Sequence, residues 1–348
     1  MVDTLLLRAL GAFLIANSHL EAFYPRRQLA ADGLLGDTLF FFLSGYGLLH
    51  SLRKPTGTPG FLAWYGRRLT RIAPAVLVVV FLFNFVATGG WSRWSPWDYI
   101  AHFALATPYP FVAQLLVCYV AFYGLARLGE RAVFPITFFA LFAPALMLPI
   151  LWGRDNHAAF HGFHWLFYFQ AMLLGAWVAD RPALAPPGTP RRLAALAGLF
   201  GVYVIARVGV AAGPLRDWYF LPHLLVLPLI VLLLGLARSS PLTATLERFP
   251  RLAQGVAFVG GLTLEVYLMH YQVLGLSWVR SRVFPLNVLA FFALTLLAAA
   301  TLARVLNWTR DGRRLLALSS LTAMSPRGAA SRSRPVPPPR ARVCAGPR

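Results

Sequence analysis

The sequence predicts an all-α membrane protein, a polytopic transmembrane helix bundle with about ten spans. Of its 348 residues, 58% are hydrophobic and 13% are charged, about half the charged fraction of a soluble domain. The apolar residues form separate runs of roughly 20, the length that crosses the hydrocarbon of a bilayer. The formal charge of +20 is distributed among the loops and the C-terminal end, so it does not indicate nucleic-acid binding.

The candidate spans follow one another along most of the chain, with short polar connections between them. They cover residues 4–23, 33–52, 73–90, 111–129, 133–151, 163–180, 193–213, 218–237, 255–275 and 287–306. With a cytoplasmic N-terminus, the inside loops carry thirteen basic residues and the outside loops seven. Because cytoplasmic loops are enriched in Arg and Lys, we expect both termini in the cytoplasm of a multi-pass protein of the inner (plasma) membrane.

The C-terminal end differs in composition from the rest of the chain. Residues 312–348 hold eight arginines, six prolines and no acidic residue. Such a segment cannot bury a core. We therefore predict a transmembrane domain over residues 1–311 and a disordered Arg/Pro-rich cytoplasmic tail over residues 312–348.

The first span contains polar residues that are costly in a bilayer. An arginine near the membrane centre costs roughly 2.5–3.5 kcal/mol, so Arg8 indicates a functional site. His19 follows eleven positions later, and eleven helical steps of about 100° overshoot three turns by about 20°. We expect both side chains on one face of the helix, roughly 16 Å apart along its axis. The alternative is that Arg8 reaches the lipid headgroups and His19 is an ordinary buried histidine.

The second span carries Asp37 and Ser44, seven residues apart and therefore on one face. A carboxylate inside a span normally has a partner, so Asp37 is a candidate site residue. For Ser44 and the neighbouring Gly45 and Gly47, close packing between helices is the simpler interpretation.

An arginine cluster precedes the third span, which we expect Pro74 to open. Arg67, Arg68 and Arg71 could hold phosphate, because guanidinium groups bind phosphate oxygens through two parallel hydrogen bonds. They could equally serve only to set the membrane orientation. The sequence leaves these two interpretations open.

The remaining polar candidates are weaker. His270, in the ninth span, is either a site residue or an interfacial residue beside Tyr271. His157 and His161 have a spacing that could suit a metal ion, but with Asp155 as the sole acidic neighbour we expect no metal site. Cys118 and Cys344 are too few for a disulfide framework or a metal-binding pattern.

Several segments together resemble the acyltransferase-3 family of integral-membrane O-acyltransferases. They are Arg8 and His19 with ten residues between them, FFFLSGYGLL at residues 40–49, RRLTRIAP at 67–74, FHWLFYFQAMLLGAWVA at 163–179 and LTLEVYLMHYQVL at 262–274. The resemblance covers about residues 1–306.

The resemblance implies a membrane enzyme that moves an acyl group, commonly acetyl, from cytoplasmic acyl-CoA to a carbohydrate hydroxyl beyond the membrane. His19 would be the catalytic base or would itself carry the acyl group. Arg8 and the arginine cluster would bind the donor phosphates, with Asp37, Ser44 and His270 as further substrate-binding candidates. Acyl-CoA is then a substrate, and no bound cofactor is expected. The alternatives are a secondary transporter with an intramembrane polar pathway and a scaffold subunit of a polysaccharide export complex.

Overall fold

The computed structural model describes residues 2–30, 33–53, 59–152, 157–179, 181 and 189–323, and all regular structure in these ranges is helical. The long helices are α1 Val2–Ser18, α2 Gly33–Leu52, α3 Phe61–Val79, α4 Pro110–Ala140, α5 Phe142–Trp152, α6 His157–Ala179, α7 Thr189–Ala212, α8 Leu221–Ala237, α9 Ser240–Arg248, α10 Pro250–Gly261, α11 Thr263–Leu274 and α12 Leu286–Ala323. Shorter helical segments occupy Arg27–Ala30, Val80–Val86, Gly90–Arg93, Pro96–Tyr99, Ile100–Ala104, Arg216–Trp218 and Ser277–Arg280.

The chain divides into two units, Met1–Arg304 and Val305–Arg348. The first unit is the helix bundle. The second is described as far as Ala323, all of it as the last turns of α12. Helix α12 thus runs through residues 312–323, which the sequence assigned to the tail. Residues 324–348 lie outside the described residues, so the prediction of a disordered tail is untested there.

Within the described part of the chain, four helical stretches are long and apolar enough to cross a membrane, or six if each of two bent pairs forms one span. The four are Phe61–Val86, Pro110–Gly129, Pro190–Ala212 and Leu286–Trp308. Helix α2 is not among them, because Asp37 and His50 lower its hydropathy. The helical class is therefore confirmed, whereas the count of about ten spans stays a prediction.

Two of the predicted spans have different courses in the structure. The third begins at Phe61, well before residue 73, and Pro74 lies inside the helix and does not open it. The ninth is not one continuous helix, because α10 ends at Gly261 and α11 continues at an angle of 72°. A similar bend of 52° separates α8 from α9.

Helix α2 lies in the core of the bundle, against α1 on one side and α6 on another. At the α2–α6 crossing the backbones touch: a Cβ placed on Gly45 would lie 1.8 Å from the carbonyl oxygen of Met172, and one on Gly175 would lie 1.9 Å from that of Phe42. Small residues permit this approach, and close packing gains dispersion energy that lipid contact does not replace. The packing role predicted for Gly45 is confirmed.

Candidate active site

A cavity of about 410 Å³ opens between α1, α2, α3, α4 and α11. Four arginines contribute to its wall, namely Arg8, Arg67, Arg68 and Arg71. Hydroxyl groups also line it, from Ser44, Ser51, Tyr119, Thr263 and Tyr267. No carboxylate from the described residues lies on this wall, so the cavity concentrates positive charge.

The polar wall contributed by α2 follows from helical periodicity. Ser44, Gly47 and Ser51 recur at intervals of three and four residues and so share the face that borders the cavity. A Cβ placed on Gly47 would lie 4.0 Å from an Nη atom of Arg8. The absence of a side chain at Gly47 therefore leaves room in front of the Arg8 guanidinium group.

The arginine cluster lies within the first turns of α3 and not in the loop predicted from the sequence. Arg67 and Arg71 are one turn apart, and both are exposed towards solvent and the cavity. Arg68 is held in place: its Nη1 donates to the carbonyl oxygen of Trp64 at 2.6 Å, and its guanidinium carbon lies 3.9 Å from the centre of the Trp64 ring. Its Nη2 also donates to Ser51. Arg68 thus joins α3 to α2 and forms a fixed part of the wall.

His19 lies one residue beyond the C-terminal end of α1 and does not line the cavity. Its Nε2 is 3.0 Å from the hydroxyl oxygen of Tyr271, and its ring centre is 5.1 Å from that of His270. His270 is fully buried, and its Nδ1 is 3.3 Å from the carbonyl oxygen of Val266. The structure therefore assembles a second polar group from the end of α1 and from α11.

Aromatic side chains lie next to both the cavity and the histidine pair. Phe40, Phe111 and Tyr267 line the cavity. The Tyr267 ring lies 5.1 Å from Phe111 and 5.7 Å from His270, measured between ring centres. Arg8 lies on α1 and His19 directly follows this helix. Arg8 lines the cavity, whereas His19 belongs to the neighbouring histidine pair.

Asp37 lies on the same face of α2 as Ser44, outside the cavity. It accepts a hydrogen bond of 3.3 Å from the hydroxyl group of Tyr168 on α6. A partner for this carboxylate was expected from the sequence, although the partner itself could not be named. This bond makes Asp37 part of the α2–α6 contact.

The structure thus distributes the predicted site residues over three places. Arg8, Ser44, Arg67, Arg68 and Arg71 meet at the cavity, His19 and His270 form the histidine pair, and Asp37 bonds to Tyr168. Sequence reasoning missed Ser51, Tyr267 and Tyr271 as members of these groups. Ser51 could have been found because it follows Ser44 by seven residues and so shares its face of α2. Tyr267 could have been found because it precedes His270 by three residues on α11.

An arginine-lined cavity inside an apolar helix bundle suits an anionic small molecule, so fold and site define a membrane enzyme or transporter with such a ligand. The comparison with protein families decides between the two. Residues 5–304 match the acyltransferase-3 family, described as an acyltransferase domain, and the chain therefore belongs to that family. It is a membrane acyltransferase, and the resemblance seen in the sequence is confirmed. Neither the comparison with curated proteins nor that with solved structures gives a match.

Proposed function

We propose that this acyltransferase moves an acyl group, with acetyl as the first candidate, from cytoplasmic acyl-CoA to a hydroxyl group of an extracytoplasmic carbohydrate. The arginine cavity carries the proposal. Its wall combines four guanidinium groups with hydroxyl donors around about 410 Å³. Coenzyme A presents phosphates at one end and the thioester at the other, so this wall suits its anionic end.

The donor phosphates would contact Arg8, Arg67 and Arg71. Arg68 already donates to Trp64 and Ser51, so its main role would be to keep the wall in place. Gly47 and Ser44 line the cavity along the face of α2, and the uncharged part of the donor would lie along this face. The orientation expected from the loop charges places the α3 arginines towards the cytoplasm, where acyl-CoA is available.

His19 is the candidate for the chemical step. As a general base, its imidazole would take the proton of the acceptor hydroxyl while the hydroxyl oxygen attacks the thioester carbonyl. The carbon–sulfur bond then breaks, and the departing thiolate receives the proton. In the second route, an imidazole nitrogen attacks the thioester carbonyl, the carbon–sulfur bond breaks, and the thiolate leaves with the proton of the imidazole. The acceptor hydroxyl oxygen then attacks the acyl-imidazole, the carbon–nitrogen bond breaks, and the imidazole regains a proton from the hydroxyl. Both routes remain open.

The aromatic side chains of the cavity impose a condition on either route. Phe40, Phe111 and Tyr267 line the cavity, and Tyr267 also borders His270, so in this proposal the thioester reaches His19 past these aromatic rings. We therefore infer that these rings turn aside when the donor binds. A chain as thin as an acetylated thiol arm needs a smaller displacement than a bulky acyl group does.

The proposal is tested with purified protein in lipid nanodiscs and radiolabelled acetyl-CoA. We expect release of free coenzyme A and transfer of label to an acceptor glycan, with both lost in a His19→Gln variant. Binding of coenzyme A by that variant is the control for folding. If acetyl-CoA neither binds nor is consumed with any glycan fraction, the donor assignment is wrong.

The acceptor is tested separately in cells. Deleting the gene should lower the mass of a surface glycan by whole acyl groups, and restoring it should return the original mass. An unchanged surface glycan profile would contradict the carbohydrate acceptor, while leaving the donor result intact.

A further inference from the structure

We propose that Tyr271 is a positioning residue that holds His19 in the tautomer protonated at Nε2, so that Nδ1 is the reactive nitrogen. The inference rests on the role of His19 in the proposed function and adds to it both a further residue and the identity of the reacting atom. It starts from the contact between the Tyr271 hydroxyl group and His19, at 3.0 Å.

The backbone at the end of α1 brings these two side chains together. His19 follows the last turn of α1, and its own amide donates to the carbonyl oxygen of Ala16 at 3.4 Å. The ring then lies against α11, with its centre 4.7 Å from that of Tyr271. Among the described residues, His19 makes a side-chain hydrogen bond to Tyr271 through Nε2 and none through Nδ1. Nδ1 is therefore the nitrogen available to a substrate.

A neutral imidazole has one N–H group and one nitrogen lone pair, and a tyrosine hydroxyl can donate or accept. If Tyr271 donates to Nε2, the ring proton lies on Nδ1, so Nδ1 has no free lone pair and the lone pair of Nε2 is directed to the tyrosine hydroxyl. If Nε2–H donates to the tyrosine oxygen, Nδ1 keeps its lone pair. The partner of one ring nitrogen thus determines the chemistry of the other. Only the second arrangement leaves a lone pair that is not already engaged by Tyr271 and is free for a substrate.

His270 supplies independent support for the second arrangement. Its Nδ1 faces the carbonyl oxygen of Val266, which can only accept, so Nδ1 carries the proton and Nε2 the lone pair. That Nε2 is buried without a hydrogen-bond partner, and the His270 ring centre lies 5.1 Å from that of His19. A second acceptor without a donor, besides the Tyr271 oxygen, therefore belongs to the same polar group as His19, and a group with two acceptors suits an N–H donor at Nε2 of His19.

Nitrogen NMR of protein labelled at histidine and reconstituted in lipid measures the tautomer directly. The His19 signals are those that disappear in His19→Gln. We expect the signal of a protonated nitrogen for Nε2 and that of an unprotonated nitrogen for Nδ1. Tyr271→Phe keeps the ring but removes the acceptor, so it should give a mixture of tautomers. A protonated Nδ1 in the unmodified protein, or identical tautomers in both proteins, would overturn the proposal.

Kinetics provide the functional test, with Tyr99→Phe as the matched control because Tyr271 and Tyr99 are both 39% exposed. Loss of one hydrogen bond that orients the reacting group should lower kcat of Tyr271→Phe roughly tenfold and leave the KM for acetyl-CoA unchanged. Tyr99→Phe should leave both constants and the His19 signals unchanged. Unaltered kcat in Tyr271→Phe would refute the positioning role. If the expected tautomer were observed in a protein that consumes no acetyl-CoA, the proposed function would fail and the tautomer assignment would stand.

Discussion

Two glycines of α2, only two residues apart, should respond in opposite directions to the same substitution. A Cβ on Gly45 would lie 1.8 Å from the carbonyl oxygen of Met172, whereas real Cβ atoms stay beyond 3.0 Å. A Cβ on Gly47 would lie 4.0 Å from Arg8, which is an ordinary contact. Gly45→Ala must therefore push α2 and α6 apart, and Gly47→Ala should fit without movement.

The magnitude follows from two opposing effects. Overpacking costs about 1–3 kcal/mol, and the upper part of this range applies because the obstacle is backbone that cannot adopt another rotamer. Alanine in a helix is better than glycine by about 0.5–1 kcal/mol. We expect Gly45→Ala to lower the free energy of unfolding by about 2 kcal/mol and Gly47→Ala to raise it by about 0.5–1 kcal/mol.

The assay is thermal unfolding in one detergent, followed by the fluorescence of the ten tryptophans. Gly175→Ala is a second test, since its Cβ would lie 1.9 Å from the carbonyl oxygen of Phe42. Gly201→Ala on α7 is the control, because nothing lies within 4 Å of its Cβ position. If Gly45→Ala and Gly175→Ala unfold at the same temperature as Gly201→Ala, the proposed backbone contact between α2 and α6 is incorrect.

Three further predictions concern the site and the tail. Arg71→Lys keeps the positive charge but loses bidentate hydrogen bonding, so the KM for acetyl-CoA should rise while the membrane orientation is unchanged. An unaltered KM would mean that Arg71 serves only to set the membrane orientation. His19→Gln should slow transfer about 10²–10⁴-fold in an acetyl-transfer assay while donor binding persists. Arg8→Ala should instead weaken donor binding first, as measured by titration. Near-normal turnover of His19→Gln would mean that the imidazole has only a structural role. A chain ending at Gly312 should insert and transfer acetyl like the full chain, because the composition of the removed segment cannot form a core of its own. Loss of transfer in a stably inserted truncation would contradict this.

The sequence was informative wherever a polar side chain conflicts with an apolar environment. Arg8 could be singled out because an arginine in a span has a high desolvation cost, and the structure places it on the cavity wall. The small residues after Ser44 could be recognised as a helix contact. The different roles of Gly45 and Gly47 could not be recognised, because each role depends on the residue that lies opposite. Gly45 contacts Met172 on α6, and Gly47 faces Arg8 on α1.

The sequence by itself determined the helical membrane class, which depends on composition and on the length of the apolar runs. Its motifs carried the resemblance to the family, and all four arginines of the cavity wall could be singled out from the sequence. Only the tertiary structure decided which polar groups meet. Helical spacing aligned Arg8 with His19, yet α1 ends at Ser18, and Arg8 lines the cavity whereas His19 does not. The Tyr271 hydroxyl group reaches His19 across 252 positions of sequence. Such contacts arise from how α1 and α11 pack, and periodicity within a single helix carries no information about its neighbours.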